Sequence, residues 1–221
     1  MASPRLRRRD GAFSISTPLL AVIAALLLGA CATGPRPSFD ADEPADQLTG
    51  DDAIDAVLDR LDRARVEQFT ADYTVLTRLG GLESTATVVQ ADNSRRSITI
   101  NDVRFLDGSG TVATCNLTTD ECEARINDAR VSDVQITHDF YASSFARRLR
   151  VDAGRRLGAS EGYTADIAGQ SAVCADVTVS GGTKTYCALE TGPLARYDGN
   201  DVAIELVELS TTFDEAAFAT S

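Results

Sequence analysis

The feature that most constrains this 221-residue chain is a change of hydrophobic period near residue 73. From Tyr73 onward, short β-branched and aromatic runs alternate with glycine-rich turns. Tyr73 to Arg78 precedes Gly80-Gly81, and Ser84 to Gln90 follows it. Arg96 to Ile100, Val103 to Leu106 and Thr111 to Cys115 continue the series, the last two divided by the Asp107-Gly108-Ser109-Gly110 turn. Apolar alternation of period two, at hairpin spacing, is the signature of an antiparallel sheet. The pattern returns after Gly158, with strands predicted over Gly162–Ala168, Gln170–Val179, Thr183–Leu189, Pro193–Tyr197 and Val202–Leu209.

Two helical segments interrupt the strands. Asp51 and Asp52 can cap the first, in which Ile54, Val57, Leu58 and Leu61 form one apolar stripe. Its end is predicted near Gln68. In the second, Phe140, Tyr141, Phe145 and Leu149 recur at helical spacing, with Arg147, Arg148 and Arg150 outward. Helix, strands, helix, strands is an α+β order, in which an antiparallel sheet packs on amphipathic helices.

The start of the chain reads as an address. Arg5, Arg7, Arg8 and Arg9 precede ten apolar residues, Leu19 to Leu28, which is a signal-peptide core and short for a membrane span of roughly 20 residues. The run closes on Leu28-Gly29-Ala30-Cys31, which resembles a bacterial lipobox. That resemblance implies cleavage before Cys31 and a lipid on its sulfur. Residues 32–50 carry Pro35, Pro37 and Pro44 with Asp40, Asp42, Glu43 and Asp46, and offer little to bury. The expected organisation is therefore a leader over 1–30, a lipidated Cys and acidic tether over 31–50, and one domain over 51–221. The acidic run is no EF-hand, because Ala45 stands where its glycine should be and Asp51 where its glutamate should be.

Charge excludes some partners. The chain carries 21 basic and 33 acidic residues, a net −12. The leader holds four arginines and one aspartate, so its removal leaves 17 basic and 32 acidic residues, a net −15. Nucleic acid is a poor partner for such a surface. Membrane attachment must then come from the lipid rather than from a polybasic patch.

Export changes the meaning of Cys115, Cys122, Cys174 and Cys187, since oxidising compartments favour disulfides. Three pairings are open. Hairpin spacing favours Cys115 with Cys122, and Cys174 with Cys187 around the Ser180-Gly181 turn. A four-cysteine zinc site and free thiols are the rival readings, although the close cysteine pairs of zinc sites are absent.

Catalytic signals are thin. His138 is the one histidine, and tryptophan is lacking. No G-x-S-x-G, P-loop or G-x-G-x-x-G pattern occurs. The expectation is a non-enzyme without a cofactor or metal.

Two segments resemble the LolA-like lipoprotein-carrier superfamily, which includes LppX/LprG-type lipoproteins. The first is Asp52–Leu76, where an amphipathic helix runs into a strand through Phe69-Thr70-Ala71-Asp72-Tyr73. The second is Tyr186–Phe218, where Thr191-Gly192-Pro193-Leu194-Ala195-Arg196-Tyr197 leads to Asp198-Gly199-Asn200 and a closing strand. The resemblance implies a curved antiparallel half-barrel over helices, with an apolar cavity for acyl chains. Val57, Leu61, Val75, Ile98, Ile100, Phe105, Phe145 and Leu149 are the residues read as lining that cavity or filling the core. The expected role is binding or transfer of a lipid or lipidated molecule at the extracytoplasmic face of a membrane. The alternative is an RseB-like sensor module that regulates a membrane partner, with an envelope protein as ligand.

Overall fold

The computed structural model describes residues 48–64, 68–91, 95–108, 110–127, 129–130 and 136–220. Residues 1–47, which hold the expected leader, Cys31 and most of the expected tether, lie outside the described residues. Among the described residues, no helix is long and apolar enough to cross a membrane.

Helix α1 spans Asp52–Arg63. Asp51 caps it, its Oδ1 accepting from the Ile54 amide at 3.3 Å, and Asp52 and Asp55 sit in the first turn where the dipole favours them. Ile54, Val57, Leu58 and Leu61 face the interior. The helix stops at Arg63 rather than near Gln68. The amide of Ala64 closes back on Arg60, and the Ala64 carbonyl is taken by the Gln90 side chain at 2.7 Å, so the ladder ends there.

Among the described residues, eleven strands form one antiparallel sheet: β1 Phe69–Thr77, β2 Leu82–Ala91, β3 Arg95–Ile100, β4 Val103–Gly108, β5 Thr111–Asn116, β6 Glu121–Glu123, β7 Glu161–Ile167, β8 Gln170–Val179, β9 Gly182–Leu189, β10 Leu194–Asp198 and β11 Val202–Ser210. Their spatial order is β6-β5-β4-β3-β2-β1-β11-β10-β9-β8-β7. Two meanders thus meet where the first strand pairs with the last, Val75 opposite Ile204. The register shifts at Asp72/Tyr73 and at Leu194/Arg196, where the ladders are locally interrupted. The architecture is α+β with an open antiparallel sheet, as the strand pattern implied.

Helix α2 spans Ser143–Ala153. Phe140 and Tyr141 lie before it, in a turn closed by Phe140 N to Thr137 O and Ala142 N to Asp139 O. They share the apolar spacing but not the helix, because Ala142 has extended φ and no side chain caps the start. Both are buried: Phe140 meets Tyr73 edge-on at 5.2 Å, and Tyr141 meets Phe69 at 5.7 Å. Beyond β11, a short 3-10 helix at Glu215–Phe218 turns back over β3, with Arg95 bidentate to Glu215 and stacked 4.9 Å from the Phe218 ring. This helix had no counterpart in the sequence pattern, whereas β6 is the second arm of the hairpin that the Cys115 and Cys122 spacing implied.

Helix α1 packs on β7, β8, β9 and α2. The approach to β7 is close, since a Cβ added at Gly162 would stand 2.9 Å from that of Ala53. The glycine of the Thr191-Gly192-Pro193 turn, at φ +117°, lies under the end of α1, where a Cβ would stand 2.6 Å from the Ala64 amide nitrogen.

Candidate functional site: an arginine-bordered groove along α2

The eight residues read as cavity-lining occupy the main core. Val57 and Leu61 of α1, Val75 of β1, Ile98 and Ile100 of β3, Phe105 of β4 and Phe145 and Leu149 of α2 are all at most 4% exposed and pack in one apolar cluster. Phe145 and Val75 also reach the floors of surface grooves.

The open features lie at the surface, along the edges of this core. One, about 980 Å³, runs between the start of α1, the Arg156–Ser160 loop and strand β7. Asp51 closes its inner end. The Asp51 carboxylate accepts from the Ser160 amide at 3.0 Å and lies 3.3 Å from Arg156 Nε. Burial works against the charged form, but the Ser160 and Ile54 amides and Arg156 together hold this carboxyl below the ordinary range.

A second groove, about 440 Å³, follows the outer side of α2 and carries the richer chemistry. It is lined by Ile136 and Thr137, by α2 side chains, by Arg155 just beyond α2, by Lys184 of β9 and by Val202 of β11. Its base is a buried polar cluster. Lys184 Nζ donates to both oxygens of Asp152 at 2.8 Å, and the Tyr186 hydroxyl donates to Asp152 Oδ2 at 2.5 Å. Burial, and then the Asp152 carboxylate beside it, pushes the Tyr186 hydroxyl far up, so this phenol stays protonated. Tyr197 stacks against Tyr186 at 4.9 Å and Phe145 at 4.8 Å. Burial pushes its pKa up to about 12.

Arg148 is spread over this aromatic base, 5.0 Å from the Tyr197 ring and 5.5 Å from Phe145. Its Nη2 lies 2.6 Å from Asp201 Oδ2. Burial disfavours both charges, yet the pair holds Asp201 low and Arg148 high. Arg150, expected to point outward, turns inward instead. It bridges to Asp62 of α1 at 2.7 Å with 15% of its side chain exposed, because the acidic side of α1 faces it. Arg147 and Arg155 are exposed, and Val151 between them is 44% exposed.

His138 is half-buried in the turn before α2. Its neighbour Asp139 accepts from the Thr137 hydroxyl at 2.7 Å, while the buried carboxylate of this region, Asp152, is bonded to Lys184 and Tyr186. Among the described residues, no group of three potential metal ligands occurs.

Four of the five cysteines are joined in two bridges. Cys115 of β5 bonds Cys122 of β6, and Cys174 of β8 bonds Cys187 of β9, each with S–S 2.03 Å and Cα–Cα 4.0 Å. Both pairs sit directly opposite each other in their ladders.

Among solved structures, MucB matches 77% of this chain at 15% identity with a TM-score of 0.50. The chain spans 63% of the length of that MucB chain. The Pseudomonas aeruginosa MucA/MucB complex matches 72% of this chain and 56% of the other, at 16% identity and TM-score 0.46. LprF from Mycobacterium bovis matches 73% of this chain and 94% of its own, at 13% identity and TM-score 0.40. No family model and no curated protein sequence matches the chain. The likeness to MucB is one of fold, and that fold is LolA-like.

Proposed function

We propose that this chain is a non-enzymatic, lipid-anchored interaction module on the extracytoplasmic face of a cell membrane, and that its ligand is a polypeptide held on its outer surface. One observation carries the choice of ligand. The apolar side chains that an acyl-chain cavity would use are packed against one another at 4% exposure or less, whereas the open grooves are bordered by charged side chains. Lipid tails need a continuous apolar lining, and polypeptide segments need apolar floor with polar rim.

Three features support the setting. The leader-like start ends in Cys31 at a lipobox-like sequence. The two disulfides suit an oxidising compartment. MucB, whose fold this chain shares, has been solved as a complex with MucA. The lipid-carrier role implied by the sequence resemblance requires α1 and α2 to lift from the sheet and open the core.

The test is extraction of the chain from native membranes in mild detergent, followed by lipid mass spectrometry and crosslinking in parallel. A crosslinked envelope protein without stoichiometric lipid is the expected result. One lipid per chain would restore the carrier role and overturn this one.

A further inference from the structure

The geometry points to the groove along α2 as a site for an extended polypeptide segment of the pattern acid-x-apolar-x-acid. This inference rests on the partner-binding reading and supplies the chemistry of the partner.

The charges of the groove do not cancel. Four cations line it: Arg147, Arg148, Arg155 and Lys184. Lys184 is neutralised by Asp152 and Arg148 by Asp201. Arg147 and Arg155 have no carboxylate partner among the described residues, and both are exposed. Two uncompensated cations in one groove form a local positive field on a chain of net −12.

Their spacing sets the ligand. Arg147, Val151 and Arg155 stand at i, i+4 and i+8. Gly154 keeps helical angles, φ −68° and ψ −13°, so Arg155 continues the row beyond the last turn of α2. At 1.5 Å rise per residue the three positions are about 6 Å apart, about 12 Å end to end. An extended chain places alternate side chains on one face about 6.6 Å apart, about 13 Å from the first to the fifth. Two acids flanking one apolar residue on the same face therefore fall in step with arginine, valine and arginine. The long arginine stems take up the difference of about 1 Å. Val151, 44% exposed, meets the central apolar side chain, and the buried core residues Phe145, Ile136 and Val202 back the groove beneath it. The guanidinium forks bind the carboxylates from either side, a use to which arginine is better suited than lysine.

The buried cluster below makes the floor rigid. Asp152, Lys184 and Tyr186 fix α2 to β9, and Arg148 is already committed to Asp201 and the aromatic rings. The free arginines thus project from a surface that does not have to reorganise on binding.

The test is fluorescence polarisation with the full chain in detergent micelles. The probe is a dye-labelled Gly-Glu-Ala-Leu-Ala-Glu-Gly peptide, and the control has glutamine in place of both glutamates. The glutamate peptide should bind at low salt, weaken as salt rises, and bind about tenfold tighter than the control. Arg147→Glu and Arg155→Glu should each weaken it about fivefold or more, with the thermal unfolding midpoint unchanged because both side chains are exposed. Equal affinity for the two peptides, or no effect of the charge reversals, overturns the site. So does binding to phosphatidylglycerol vesicles that is lost on the same substitutions while the peptide is ignored. Crosslinking with the Arg147→Glu/Arg155→Glu chain separates this inference from the reading beneath it. A partner captured equally by both chains overturns the groove and leaves partner binding standing. A partner captured by neither overturns partner binding itself.

Discussion

Lys184, the one lysine of the chain, places its ammonium 2.8 Å from both carboxylate oxygens of Asp152. The aspartate side chain is 6% exposed and the lysine 20%, so the pair is largely withdrawn from water. Removing one partner of such a pair strands the other charge. Lys184→Met should lower unfolding stability by about 3 kcal/mol, read by urea titration. Adding Asp152→Leu should recover part of that loss. An unchanged urea midpoint in the single variant would show that the pair contributes little.

Gly192 should tolerate no side chain. Its φ is +117°, and a Cβ there would meet the backbone of Ala64 at the end of α1. Gly192→Ala should cost about 2 kcal/mol or more, through left-handed backbone strain and displacement of α1. Thermal unfolding compares it with Gly158→Ala, where φ is also strongly positive at +102° but the space around a Cβ is open. The strain is shared, so the difference between the two reports the contact with α1.

Low pH should weaken the fold through Asp51 first. Its carboxyl is held below the ordinary value of about 3.9. A group whose pKa falls on folding contributes stability above its unfolded pKa and loses it as pH drops through the folded value. The unfolding midpoint should therefore be insensitive to Asp51 ionisation near neutrality and fall below about pH 4. Asp201 titrates in the same direction but, at 54% exposure, contributes less. Asp51→Asn should lower the midpoint at pH 7 and flatten its fall in acid. A parallel acid profile in variant and parent would rule this group out as the cause.

The two disulfides should differ in access. Cys122 is exposed on edge strand β6, whereas Cys174 and Cys187 are fully buried. Under native conditions, mild reductant followed by alkylation should label Cys115 and Cys122 well before Cys174 and Cys187. Peptide mapping by mass spectrometry measures the order. Each bridge closes a short loop, with separations of 7 and 13 residues. Loss of either should cost roughly 2–3 kcal/mol in the chain-entropy account.

Cys31→Ser should move the protein from the membrane to the soluble fraction and abolish labelling by a fatty-acid probe. Labelling that survives the substitution would exclude Cys31 as the lipid attachment point.

The sheet was legible where glycine turns punctuate a period-two pattern. Gln170 to Val179 is a strand over those same residues, and the turn at Ser180-Gly181 sets Cys174 opposite Cys187 in the ladder. Helix ends were less legible, because tertiary partners decide them. Gln90 takes the carbonyl of Ala64, and a side chain 26 positions away leaves no trace in a local window. The aromatic run at Phe140 and Tyr141 has helical spacing, and no capping side chain at Ala142 marks the true start of α2. The groove was not legible at all. Lys184 and Asp152 are 32 residues apart, and nothing in their neighbourhoods marks them as partners. The freedom of Arg147 and Arg155 shows only once Asp201 and Asp62 have taken the other arginines of α2.

The pairing of the first strand with the last has a consequence for how the molecule is made. Thr70 lies opposite Ser210, so the centre of the sheet joins residues 140 positions apart. A chain delivered from its N-terminus, by a ribosome or across a bilayer, can build the meander of β1 to β6 early. Helix α1 emerges before that meander but packs on β7 to β9, which arrive only after it is complete. Until they do, the Ile54-Val57-Leu58-Leu61 stripe has nowhere to go. Completion of the fold is thus deferred to the end of delivery, and a holdase that shields one short amphipathic helix in the interim would raise the yield of native protein.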